Sequence, residues 1–262
     1  NCPEVTEEPF LANMLVTSFP TQLQQQFGAA LAQHPLRGEI IATRVANMLV
    51  NDMGLNFASR MKDETGASVA EVACCFAMAR EVFGLGTLWR DIEACDNLVD
   101  ANTQLELMFY SRRIVRRATR WFLRARNRSW SIGENIAFFR PAFETLSQHL
   151  YEVMDESEVA EHSQAVAALM EKQVPEAIAR RVAHMSSLFS CLDLAQIAAE
   201  HKTDILRVAN VYYRLGAKLD LHWFLEQINH QPVGNHWQAM ARASFREDLD
   251  WQQRSLTSVV LE

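Results

Sequence analysis

Eight arginines fall between positions 112 and 128 with no acidic residue among them. Arg112, Arg113, Arg116, Arg117, Arg120 and Arg124 are spaced so that a helix would gather them on one side. No carboxylate three or four positions away can neutralise them within that helix, and uncompensated guanidiniums repel one another. Such a face suits an anion: an acidic surface elsewhere in the same protein, a phosphate backbone, or simply water around solvated charges. Arginine outnumbers lysine 21 to 4 in the chain, so guanidinium is its habitual cation. The formal net charge of −7 argues against a dedicated nucleic-acid binder. The six arginines are therefore a candidate docking face.

Other residues of chemical interest do not assemble a site. Gly84-Leu85-Gly86 opens like a dinucleotide fingerprint, but that pattern needs a preceding strand and a third glycine three residues on. Here a helical pattern precedes it and Trp89 takes the third place, so it reads as a turn between helices. No P-loop lysine motif, E-x-x-H pair, H-E-x-x-H or D-D-x-x-D cluster occurs. His222, Glu226 and His230 share a helix face, yet i to i+8 spans about 12 Å, too far for one ion to join both histidines. Cys74 and Cys75 sit among Val72, Ala73, Phe76 and Ala77, without the positive charge that activates a thiol. They read as buried small hydrophobes. Trp121, Phe122, Trp130, Phe138 and Phe139 fit a core better than a stacking platform. Arg44, Asn47 and Asn51 share a face beside Ile41, Val45 and Met48, either as a buried network that fixes helix pairing or as its solvent edge.

The element that must position the arginines is Leu105–Arg126, a helix roughly 33 Å long. Leu107, Ser111, Ile114, Ala118, Trp121 and Ala125 alternate at spacings of four and three, with Met108, Val115 and Phe122 beside them, so its opposite side is apolar. Its start is expected near Asp100 or Asn102. Nine glycines and seven prolines punctuate 262 residues, so long helices are expected throughout.

Val5–Phe19 is weakly patterned, and Gln22–Gln33 is a helix closed by His34-Pro35. Leu36–Asp52 stops at Gly54, and Leu55–Glu64 at Gly66. Ser68 and Glu71 form a capping box for a helix reaching Phe83. Thr87–Ala94 follows the Gly84–Gly86 turn. Asn127–Ser131 breaks the pattern, Ser131 and Glu134 cap the next helix to Met154, and Pro141 kinks or divides it. Glu158–Lys172, Glu176–Leu188, Leu192–Glu200, Asp204–Leu215, Leu219–Ile228 and His236–Thr257 complete an all-α chain. The expectation is an irregular bundle of about ten to twelve helices with no sheet, one domain over 1–262. The break offers a sub-division into 1–127 and 131–262, whose flanking apolar faces suit a shared core.

Composition fits a soluble globular protein, with 49% hydrophobic and 22% charged residues. Five cysteines without a C-x-x-C pair suit reduced thiols in the cytoplasm. No membrane-spanning run of about 18 apolar residues occurs. The chain opens on Asn1 with no signal-type segment and reads as a piece of a longer protein.

One series of motifs goes further. Glu39-Ile-Ile-Ala-Thr43, Ala46-Asn47, Val50-Asn51, Gly54 and Glu64-Thr65-Gly66 lead into Ala79-Arg80-Glu81-Val82-Phe83, Leu88-Trp89, Ile92-Glu93, Asp96-Asn97 and Gln104. With Arg120-Trp121 and Phe139-Arg140-Pro141, they resemble the C-terminal region of the large bacterial NAD-specific glutamate dehydrogenases. The match is firm over about residues 37–141 and loose beyond. Gly38 and Asp52 stand where the family pattern has a basic residue, and Cys95 where it has leucine.

The resemblance implies a parent enzyme that oxidatively deaminates L-glutamate to 2-oxoglutarate and ammonia, with NAD accepting the hydride. In that family the glutamate site and the Rossmann domain lie upstream. No catalytic, cofactor or metal residue is therefore carried onto this chain. The expected partners are the catalytic core and neighbouring subunits of an oligomeric, cytoplasmic enzyme, with no membrane and no nucleic acid. The alternative is a free-standing helical module that holds an anionic partner on the arginine face.

Overall fold

Helix ends follow local chemistry closely. In a computed structural model that describes residues 9–125 and 131–262, fourteen helices and no strand are found among the described residues. They are α1 (Pro9–Val16), α2 (Thr21–Ala32), α3 (Arg37–Met53), α4 (Phe57–Thr65), α5 (Val69–Val82), α6 (Leu85–Glu93) and α7 (Ala101–Arg124). Then come α8 (Ile132–Val153), α9 (Glu156–Glu171), α10 (Glu176–Leu188), α11 (Cys191–Glu200), α12 (Ile205–Lys218), α13 (Leu221–Asn229) and α14 (His236–Leu261). The all-α expectation holds. Cys2, Trp130 and the expected helix end at Arg126 lie outside the described residues.

Both expected capping boxes form. Ser68 Oγ accepts from the Glu71 amide while Glu71 accepts from the Ser68 amide at 2.7 Å. Ser131 and Glu134 repeat the exchange at 3.1 and 2.6 Å. A third box, Asp155 with Glu158, starts α9 two residues earlier than expected. Pro141 neither ends nor divides α8, which runs through it. Gly216 does not end α12. It lies inside that helix, where a Cβ would fall 2.8 Å from Gln253 Nε2 on α14, and the turn comes instead at Asp220 (φ 52°). The glycine leaves room for the Gln253 side-chain amide, which donates to the Tyr212 carbonyl at 3.0 Å.

The chain divides into two compact units, Asn1–Ala94 with Gln104–Phe138, and Cys95–Thr103 with Phe139–Glu262. In the first, Met61, Val72, Phe76, Phe83, Leu85, Leu88 and Val115 are closed to solvent. Phe57 meets Phe76 edge-on at 6.2 Å. In the second, Leu146, Leu150, Met185, Cys191, Leu194, Ile197 and Val208 form the core. There α9 packs on α10, and α12 packs on α11, α13 and α14.

Candidate functional site

The apolar side of α7 is buried as its spacing predicts: Leu107, Ser111, Ile114, Val115, Ala118 and Phe122 are closed to solvent. Burial also extends to Thr119 and Arg120, into the side assigned to the arginines. The reason is Glu64, in the last turn of α4. Its side chain is only 3% exposed and accepts from Arg116 Nη2 at 2.6 Å through Oε1 and from Arg120 Nη2 through Oε2. Arg116 and Arg120 stand four apart on α7, so one carboxylate takes one guanidinium on each oxygen. A carboxylate in the last turn of a helix faces the negative end of its dipole; two cations offset that. Burial lowers both arginine pKa values, yet a guanidinium stays charged in a protein.

The six arginines are therefore not equivalent. Arg116 and Arg120 are engaged inside the first unit. Arg112 is half-buried, with its guanidinium 6.0 Å from the Phe109 ring centroid. Its Nε is enclosed and has no hydrogen-bond partner among the described residues. Arg117 is half-buried, while Arg113 and Arg124 are exposed.

A second polar cluster in the same unit joins α3, α5, α6 and α7. Arg80 Nε donates to Asp52 Oδ2 at 3.1 Å and Nη1 to Glu81 at 3.0 Å. The guanidinium lies 5.8 Å from the Trp89 ring centroid, and Trp89 Nε1 donates to Ser111 Oγ at 2.7 Å. Gly86 makes the room: a Cβ there would fall 2.5 Å from Arg80 Nη2. Burial raises the Asp52 pKa, and the Arg80 charge and hydrogen bond oppose that shift. Asp52 is thus the anchor for Arg80.

In the second unit, two histidine rings stack at 5.2 Å: His184, bonded to Tyr151 Oη at 2.8 Å, and His162, bonded to Ser187 Oγ at 3.1 Å. Burial, His162 and Arg180 together push the His184 pKa down to about 4. Burial also lowers that of His162. Ser187 and His162 are a nucleophile–base pair only in outline. His162 Nδ1 is enclosed with no partner among the described residues, so no carboxylate orients the ring as a triad requires. Sequence reading missed this cluster because His162, His184 and Tyr151 come from three helices.

The remaining candidates resolve as structure. Phe122 and Phe139 are core and Trp121 and Phe138 half-buried. Cys75 is buried and Cys74 half-buried. Arg44, Asn47 and Asn51 are exposed, so they are a solvent edge. His222 lies 3.6 Å from Glu226 and 3.7 Å from Glu161 in an exposed ion-pair arrangement, and His230 ends α13. Among the described residues no three His, Cys, Asp or Glu side chains could hold a metal ion, and no single helix is long and apolar enough to cross a membrane.

A family model described as glutamate dehydrogenase, C-terminal, matches residues 1–262. The chain belongs to the glutamate dehydrogenase C-terminal family. It is 41% identical over 259 residues to an NAD-specific glutamate dehydrogenase of Pseudomonas aeruginosa, covering 98% of this chain and 16% of that protein. It is 37% identical over 258 residues to the enzyme of that name in Halomonas elongata, with the same coverage of each. A third, from Mycobacterium tuberculosis, is 29% identical over 258 residues, again at 98% and 16%. The chain thus spans 16% of the length of these curated relatives. The family match also takes in residues 142–262, where the motif comparison was loose. In this glutamate dehydrogenase C-terminal region, Glu64, Arg80, Trp89 and Arg120 join helices.

Proposed function

We propose that this chain is the non-catalytic, helical C-terminal region of an NAD-specific glutamate dehydrogenase, serving docking, assembly or regulation of the catalytic core. The parent reaction is the oxidative deamination of L-glutamate to 2-oxoglutarate and ammonia, with NAD as hydride acceptor. The observation that carries this reading is the match of 98% of the chain to relatives of that name of which it spans 16%. The reading includes a cytoplasmic, oligomeric enzyme whose NAD and glutamate sites lie outside this chain.

The test is an assay of the chain and of the longer reading frame with glutamate and NAD. Turnover is expected only from the longer protein; turnover by the chain itself overturns the reading. The arginine face is tested with Arg113→Glu and Arg124→Glu in the longer protein, since reversing Arg116 or Arg120 would break the pair with Glu64. Unchanged oligomeric state and activity would rule out docking through this face.

A further inference from the structure

Helix α14 has two distinct sides. One packs on its own unit: Thr257 is buried, Gln253 donates to the Tyr212 carbonyl, and Arg254 reaches Asp193. On the other, Trp237 is 76%, Phe245 50%, Trp251 61% and Val259 63% exposed. With Ala241, Ser244, Gln252 and Leu256 they follow three-and-four spacing along the whole helix, within one solvent-facing arc. The open side of a surface helix is normally charged. Here Asp248 is the one acidic or basic residue among the exposed positions from Trp237 to Val260. The three aromatic rings alone leave on the order of 400 Å² open, taking up to about 250 Å² per ring, the size of the largest apolar patch on a typical monomer, which is often functional.

We infer that this solvent side of α14 docks on the dehydrogenase portion of the same longer polypeptide, in an apolar groove that sets a basic side chain opposite Asp248. The inference rests on the proposed function above, and two observations select this occupant. First, the relatives that match 98% of the chain extend far beyond it, since it covers 16% of them. A covalently linked partner acts at an effective concentration in the millimolar range. Second, charge disfavours a second copy. Asp248 stands midway between Trp237 and Val259, so an isologous antiparallel pairing would bring two Asp248 carboxylates together with no exposed cation on the stripe to separate them. A cationic partner removes that penalty, and a desolvated carboxylate requires one.

The experiment is hydroxyl-radical footprinting of the longer protein at several concentrations, with buried Trp89 as the internal standard. Trp237 and Trp251 are expected to oxidise as slowly as Trp89 at every concentration. Trp251→Glu, at a position 61% exposed, is expected to raise Trp237 oxidation several-fold and leave Trp89 unchanged. Fast oxidation of both tryptophans in the unaltered protein overturns the inference. Protection that fades on dilution together with the oligomer also overturns it, in favour of a second copy. Glutamate- and NAD-dependent turnover is recorded on the same sample. Its absence sinks the dehydrogenase reading whatever the footprint shows.

Discussion

Glu64 and Arg120 lie 56 positions apart and meet as an ion pair closed to solvent, with Arg116 on the second carboxylate oxygen. One carboxylate thereby fixes two turns of the arginine helix against the end of α4. The cluster that looks like a site for an outside anion finds part of its anion inside its own unit.

Removing Glu64 takes a nearly enclosed carboxylate away from Arg120, itself 11% exposed, and from the more open Arg116. Glu64→Ala is expected to cost about 3–5 kcal/mol, the range for a buried pair that loses one partner. Arg113→Ala, at an exposed position of the same helix, is expected to stay within about 0.5 kcal/mol. Urea unfolding midpoints compare the two. Equal costs would mean that the pair with Glu64 holds nothing.

Gly86 and Arg80 are expected to behave as one unit. Gly86→Ala displaces the guanidinium from Asp52, Glu81 and the Trp89 ring, at a cost of about 1–3 kcal/mol. Arg80→Ala alone loses the same contacts. Once either change is made, the other has little left to remove, so the double variant should fall well short of the sum. Simple additivity in a double-mutant cycle would show that Gly86 matters for some other reason.

His184 makes stability depend on pH with a definite sign. Its folded pKa of about 4 lies below the ordinary 6.5, so the unfolded chain binds its proton first as pH falls. Stability is full above pH 6.5, declines between 6.5 and about 4, and its His184 part is gone below that. The span corresponds to a loss on the order of 3 kcal/mol. His184→Gln should flatten this part of the pH profile of the unfolding midpoint. A variant profile that parallels the original would remove His184 as the cause.

What sequence reading could reach is set by range along the chain. The buried side of α7 follows from residues three and four apart, and the Ser68 and Ser131 caps from residues three apart, so each was readable from a short window. Asp155-x-x-Glu158 carries the same signal as those caps, and a start at Glu158 overlooks it. Glu64 carries no mark that it faces Arg116 and Arg120, because their meeting depends on how α4 lies against α7. The expected end of a helix at Leu215, just before Gly216, fails because a glycine that leaves room for a neighbouring side chain looks the same in sequence as one that ends a helix. The solvent side of α14 went unread for a related reason. Spacing reports an apolar stripe without telling which stripe its own unit covers.

Arg254 holds the other side of that helix. It donates to Asp193 at 3.1 Å and reaches Glu200 at 3.4 Å, tying α14 to α11. Asp193 is nearly enclosed, with a side chain 8% exposed, whereas Glu200 is open to water. The exposed contact contributes little, and the enclosed one most of the effect. Arg254→Ala should therefore destabilise the second unit by roughly 2–4 kcal/mol, since it takes from a nearly enclosed carboxylate the charged donor at 3.1 Å. Asp193→Asn in the same chain removes that charge and should recover part of the loss. Amide hydrogen exchange along α14 separates this from a general weakening: exchange should quicken around Gln253–Thr257 before the α9–α10 pair responds. If α14 keeps its protection in Arg254→Ala, packing beside Gly216 and Tyr212, rather than the ion pair, holds the helix in place.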